Sequence, residues 1–178
     1  KKATLKYPSA DFDQSLYEPD RQLDTHTIEL LQDCKWIDIP RNLLITGSSG
    51  TGKTYLANAF CITALHQHRT VKYIRANKFI QECGKIRQNG VILDYINEMS
   101  AYDLLVIDDF GLMDLDLEKC SDLFEVIESR DCQKATIIAS QFPVSKWWEL
   151  FGNSTYADAC LSRATCKAYR LECNGRDM

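Results

Sequence analysis

The chain has 178 residues, 45% of them hydrophobic and 26% charged, enough for one globular domain with a full core. A net charge of −4 excludes a surface that is basic all over, as small nucleic-acid modules carry, but leaves room for a local basic patch. No apolar run approaches the roughly 20 residues of a membrane span, and no charged-then-apolar leader is visible, so the expectation is a cytoplasmic fragment of a longer protein with no membrane partner.

Residues 1–40 read as an entry segment. They are polar at first, and Pro8 and Pro19 break any long helix. A helix capped by Asp24 follows over Asp24–Leu31, and Trp36-Ile37 leads into Pro40. From residue 41 to 178 strands and helices alternate. The pattern predicts strand Leu43–Thr46, helix Lys53–His68, strand Val71–Arg75 and helix Asn77–Arg87. After Asn89-Gly90 it predicts a helix at about Val91–Met99, strand Leu104–Asp108, helix Leu117–Ser129 and strand Ala135–Ser140. Helices are expected after Pro143 and Thr155, then a last strand at Ala168–Glu172. Runs such as LLVI and TIIA lack alternation, as strands covered on both faces do. The β-α-β rhythm implies an α/β fold with a parallel sheet and right-handed crossovers.

The eight cysteines form no C-x-x-C pair and no zinc-ligand spacing with His26, His66 or His68, so reduced, mostly buried thiols are expected. His66 and His68 are expected to end a helix near its negative pole.

Residues Gly47 to Thr54 read GSSGTGKT, between an apolar strand and a helix. This is the G-x-x-x-x-G-K-[ST] phosphate loop in its required context. Gly47, Gly50 and Gly52 permit a tight turn that aims backbone N–H groups at phosphates. The helix N-terminus adds partial positive charge. Lys53 supplies a point charge for the β- and γ-phosphates, and Thr54 offers a hydroxyl to Mg²⁺. Ser48, Ser49, Thr51 and Tyr55 complete the expected ATP-binding stretch.

Asp103-Leu-Leu-Val-Ile-Asp108-Asp109-Phe110-Gly111 is a buried strand ending in two carboxylates. Beside a phosphate loop, the first acid of such a pair holds the Mg²⁺ shell and the next orients water for attack on the γ-phosphate. Asp108 is assigned to the metal and Asp109 to the water. The following strand ends in Ser140 and Gln141, alternative sensors of the γ-phosphate.

Three segments, GSSGTGKTYLA, YDLLVIDDFG and ASQFPVSKWWELFGNSTYADACLSR, resemble the AAA+ ATPases of the IstB/DnaC type. The last is the most diagnostic: Q-x-P-x-x-x-W and then ADA-x-L-x-R is similar to the IstB helpers of insertion-sequence transposition. The resemblance covers about residues 35–175. It implies the AAA+ core with strand order 5-1-4-3-2 and no separate C-terminal helical lid. It also implies an N-terminal DNA- or partner-binding domain not represented in these residues. By the same resemblance Lys53 and Thr54 match the Walker A pair, Asp108 and Asp109 the Walker B pair, and Gln141 the sensor position. Arg163 matches an arginine finger that acts on a neighbouring subunit. The pair is Asp-Asp where Asp-Glu is common, and Gln141 stands where Asn is usual.

The function implied is a Mg²⁺-dependent ATPase that assembles as a homo-oligomer on double-stranded DNA and helps a transposase. A replicative helicase loader of the DnaC/DnaI type is the alternative. A small-molecule kinase shares the phosphate loop, but the dispersed Arg residues and the Asp-Asp ending speak against it. A scaffold without turnover is disfavoured by Lys53 and Asp109. Lys78, Lys85 and Arg87 lie on the helix after the second strand, where relatives often present DNA-binding elements; Lys78 and Lys85 share a face, from which Arg87 is displaced.

Overall fold

The computed structural model describes residues 4–13, 18, 20, 22–152 and 155–175; the expected break at Pro19 lies outside them. The elements are α1 (Thr25–Leu31), β1 (Leu43–Gly47), α2 (Lys53–His66), β2 (Val71–Arg75), α3 (Ala76–Gln88), α4 (Ile92–Ala101) and β3 (Leu104–Phe110). Then come α5 (Leu117–Arg130), β4 (Ala135–Ser140), α6 (Trp147–Leu150), α7 (Thr155–Thr165) and β5 (Tyr169–Cys173).

All four strand pairings are parallel, in the order β2-β3-β4-β1-β5. Counted from the other edge this is the expected 5-1-4-3-2. The period of two sorts the strand residues onto two cores. Leu43 and Ile45 pack with Val106, Ile137 and the apolar side of α2. Leu44 packs with Ile107, Ile138 and residues of α3, α4, α5 and α7. Both faces are therefore covered, which explains apolar runs without polar alternation.

Several boundaries move for local reasons. Helix α2 stops at His66, short of the expected His68, because His68 adopts a left-handed φ of 62° and Arg69 N–H turns back to the Ala64 carbonyl at 3.1 Å. Strand β3 runs past Asp108 to Phe110. The helix expected after Pro143 is a 3₁₀ turn, Val144–Lys146, followed by the single turn of α6. Strand β5 starts at Tyr169, one residue late.

The entry segment is packed rather than separate. Asp24 caps α1 by accepting the Thr27 N–H at 3.0 Å. Ile28, Leu31, Trp36 and Ile37 are buried in the α2-side core. Phe12 meets Phe60 of α2 edge-on, with centroids 4.8 Å apart. All eight cysteines are free, and six of them are buried. No helix among the described residues is long and apolar enough to cross a membrane.

Two buried polar anchors shape the ends of the sheet. Trp147 is fully buried; its indole N–H donates to the Phe142 carbonyl at 3.0 Å, and its ring lies 4.8 Å from that of Phe110. The Q-x-P-x-x-x-W pattern thus pins the segment after β4 against the end of β3. At the opposite end, Arg130 donates to the carbonyls of Met99, Ser100 and Tyr102 and to the Thr136 hydroxyl. Burial pulls its pKa down to about 10, a cost offset by these hydrogen bonds to the end of α4.

Candidate nucleotide-binding site

The C-terminal edge of β1 delivers the phosphate loop. Gly47 has φ 150°, and a Cβ there would sit 2.1 Å from the Cys173 carbonyl oxygen of β5. Only glycine lets the two strand ends approach this closely. Beyond it, the Thr51 hydroxyl donates to the Ser48 carbonyl at 2.8 Å, and Gly52 enters α2 in a left-handed conformation. The first residue of α2, Lys53, folds back and donates to the Ser48 carbonyl at 2.6 Å. Burial lowers its pKa, while Cys173, Asp108 and Asp109 act in the opposite direction.

Strand β3 brings both acids to the same end through an irregularity. Ile107 pairs with Ile138, but Phe110 pairs with Ser140, so β3 holds one extra residue at Asp108-Asp109. Asp109 adopts φ 56°, a left-handed conformation that Asp tolerates better than most residues. A bulge re-aims side chains that would otherwise alternate between faces. Asp108 is buried; its carboxylate accepts from the Thr54 hydroxyl at 2.8 Å, from the Tyr73 hydroxyl at 2.6 Å and from the Asp109 N–H at 2.8 Å. Burial, with the Asp108 charge adding to it, raises the Tyr73 pKa well above the ordinary phenol value. Tyr73 therefore stays a donor and locks the Asp108 carboxylate. Asp109 is half-exposed and pairs with Arg75 at 3.4 Å.

These residues converge on a cavity of about 370 Å³ lined by Ser49, Gly50, Gly52, Lys53, Thr54, Tyr55, Asp109 and Gln141. Lys6, Tyr7 and Leu112 complete it. Tyr7 is held there by its N–H to the Asn58 side chain at 3.0 Å, and Asn58 itself donates to the Thr54 carbonyl at 2.7 Å. Among the described residues no group of three or more His, Cys, Asp and Glu could hold a metal ion. The Thr54 hydroxyl beside the Asp108 carboxylate does fit Mg²⁺, which takes one or two protein oxygens and completes its shell with water and phosphate oxygens.

Of the two sensor alternatives, Ser140 does not line the cavity. It is fully buried, its hydroxyl donates to the Phe110 carbonyl at 2.6 Å, and it accepts the Phe142 N–H at 3.1 Å. Gln141 faces the cavity.

Arg163 is far from this cavity. Asn42, just before β1, donates to the carbonyls of Arg163 and Ala164, so the end of α7 lies at the N-terminal end of β1, opposite the phosphate loop. At about 3.3 Å per residue, β1 alone separates the two by roughly 17 Å. The Arg163 guanidinium donates to the Ala159 carbonyl at 2.9 Å, pairs with Glu128 at 3.2 Å and lies over the Phe124 ring. On the same helix, the Asp158 carboxylate accepts from the Trp148 indole N–H at 2.9 Å.

The proposed DNA residues separate. Lys78 and Lys85 are exposed on α3; Lys78 lies 3.8 Å from Glu82, and Lys85 has no ion pair among the described residues. Arg87 does not join them. Helix α3 runs unbroken to Gln88, so Arg87 turns to α5, where it pairs with the buried Asp122 and, at 3.4 Å, with Glu118.

Tyr73, Arg75, Lys6 and Tyr7 were not legible as site residues. Tyr73 and Arg75 share a face of β2, and Arg75 is level with Asp108 in the parallel register. Strand order combined with that alternation is the signal that points to them.

The family model described as IstB-like ATP binding protein matches residues 1–178. The chain is 34% identical over 176 residues to y4uH of Sinorhizobium fredii (strain NBRC 101917 / NGR234), named as an insertion sequence ATP-binding protein; the match covers 99% of this chain and 71% of that protein. It is 37% identical over 162 residues to y4pL of the same organism, similarly named, covering 91% of this chain and 66% of that one. Among solved structures, AMPPCP-bound DnaA from Aquifex aeolicus superimposes with a TM-score of 0.71 at 25% identity, covering 84% of this chain and 44% of that one. The DnaC helicase loader superimposes with a TM-score of 0.71 at 19% identity, covering 84% and 87%, a likeness of fold alone.

Proposed function

The chain belongs to the IstB-like ATP binding protein family, and from that premise we propose that it is an ATP-hydrolysing switch in the cytoplasm. In the ATP state it forms a homo-oligomer on double-stranded DNA and assists a transposase in insertion-sequence transposition. The observation that carries this reading is the convergence of the phosphate loop, Asp109 and Gln141 on one cavity, with Asp108 locked behind Thr54. Relatives named for insertion sequences favour a transposase over a replicative helicase as the client.

The chemistry follows from the placement of the groups. ATP enters with its phosphates over the loop, and Lys53 exchanges the Ser48 carbonyl for β- and γ-phosphate oxygens. Thr54 and Asp108 would hold Mg²⁺, which would neutralise phosphate charge there. Tyr73 keeps the Asp108 carboxylate in one orientation. Asp109, at the cavity wall, orients water and accepts its proton. Gln141 donates its amide to the γ-phosphate from the end of β4. Arg163 of one copy completes the site of the next.

Lys53→Ala should abolish ATP binding measured by calorimetry while the far-ultraviolet circular dichroism stays native. Wild-type affinity in the variant would overturn the assignment of the cavity. For DNA, Lys78→Gln together with Lys85→Gln should weaken duplex binding equally for all sequences. The slope of log K against log salt should fall by about two, roughly one for each lost phosphate contact. An unchanged slope returns both lysines to a solvated helix face.

A further inference from the structure

Six of the eight cysteines are buried, and the two exposed ones, Cys132 and Cys166, line the same cavity of about 510 Å³. The cavity lies at the N-terminal end of the sheet. Cys132 sits between α5 and β4, Cys166 between α7 and β5, and those two strands flank β1. Asn42 ties the walls together: its side chain accepts the Thr136 N–H at 3.1 Å and donates to the Ala164 carbonyl at 3.1 Å. Arg41, Arg163 and Lys167 line the cavity against a single acid, Asp131. The two thiols differ in their surroundings. The Cys132 thiol donates to the Asp131 carboxylate, with sulfur and oxygen 3.7 Å apart. Cys166 lies between Arg163 and Lys167 in the chain, and its N–H donates to the Ser162 carbonyl at 2.8 Å.

We propose that this cavity is a modification site, in which Cys166 exchanges with a low-molecular-weight disulfide that carries carboxylates, and that the attached group keeps Arg163 from a neighbouring copy. The second half rests on the proposed trans role of Arg163. The cavity volume falls in the range of small-molecule pockets, roughly 300–1,000 Å³. Three cations draw an anionic reagent towards Cys166, whereas Asp131 repels it from Cys132. The disulfide itself is the oxidant. The Cys166 thiolate attacks one of its sulfurs, a protein–reagent S–S bond forms, and the reagent's own S–S bond breaks. The other half leaves as a thiolate with the electron pair and takes up a proton. Cys166 is thereby oxidised and the reagent reduced, and excess free thiol reverses the step. Once attached, the carboxylates pair with Arg41, Lys167 and Arg163. Arg163 can change partners, because the side chains of its ion pair with Glu128 are 34% and 46% exposed and such pairs are weakly held.

The test treats the full-length protein with oxidised glutathione, an anionic disulfide, or with cystamine, a cationic one, and maps the adducts over time by mass spectrometry. Oxidised glutathione should label Cys166 about tenfold faster than Cys132, the lower end of electrostatic steering. Cystamine should lose that preference. Arg41→Gln together with Lys167→Gln should slow the glutathione reaction about three- to tenfold, the scale of two exposed charges, without slowing cystamine. Labelled wild type should bind ATP normally and lose turnover in the assembled state, and dithiothreitol should restore it. Cys166→Ser should keep its turnover in oxidised glutathione. First labelling at Cys132, or the same preference with both reagents, would overturn the site. Arg163→Ala separates the two levels. If it keeps full turnover, the trans reading of Arg163 fails and takes the second half of this inference with it. If it is inactive while labelled wild type turns over normally, only the present inference fails.

Discussion

Asp109→Asn should bind ATP as the wild type does and lose turnover by about 10²–10⁴-fold, the range a positioned general base supplies. The substitution is chosen for what it preserves. Asn is nearly isosteric with Asp and tolerates the left-handed φ of 56° at this position, so the bulge in β3 should persist. The neighbouring Asp108 keeps its three hydrogen bonds, including that from the Thr54 hydroxyl. What disappears is the negative charge proposed to accept a proton from water. Loss of the Arg75 pair is a minor side effect, since exposed ion pairs contribute at most about 1 kcal/mol. Single-turnover phosphate release and nucleotide binding, measured on the same preparation, separate the two effects. Undiminished release would mean that another group positions the water.

Arg163→Ala should leave ATP binding by the isolated subunit unchanged and lower turnover in the assembled state by about 10³–10⁵-fold, the contribution of arginine fingers in GTPases. The site that Arg163 is proposed to complete is not its own, because α7 ends at the opposite end of β1 from the phosphate loop. Its present partners, Glu128, the Ala159 carbonyl and the Phe124 ring, hold a permanently charged planar group half-exposed at that end. If that bracing were its whole purpose, removal would cost about 0–1 kcal/mol of stability and leave turnover alone. A finger acting in trans makes wild-type turnover rise steeply with protein concentration, and the variant should lack that rise.

The fold was legible because each of its signals is local. The apolar runs of β1, β3 and β4 are unbroken, helix periods separate them, and Asp24 marks the start of α1. The phosphate loop was legible because its chemistry needs a fixed spacing within one turn. The rest depends on contacts between segments distant in sequence. Arg75 joins the site only because β2 lies beside β3 in parallel register. Tyr7 reaches the cavity through Asn58, fifty-one positions away. Ser140 and Gln141 are adjacent and both polar, so spacing could not choose between them; burial of Ser140 under Phe110 and Phe142 does. Arg87 reads in sequence as a DNA candidate displaced from the Lys78/Lys85 face, and only the packing of α5 supplies its partners Asp122 and Glu118. Arg130 carried no motif at all, because its partners are backbone carbonyls and a hydroxyl.

The central claim is a nucleotide site completed by a second copy of the chain. Mixing Arg163→Ala with Lys53→Ala tests it most directly, since each variant alone should be inactive. Some mixed interfaces pair an intact phosphate loop with an intact Arg163, so ATP turnover should partly return and follow the mixing ratio with a maximum between the pure variants. Co-assembly of the two, verified by sedimentation, with no recovery of turnover at any ratio would contradict the account.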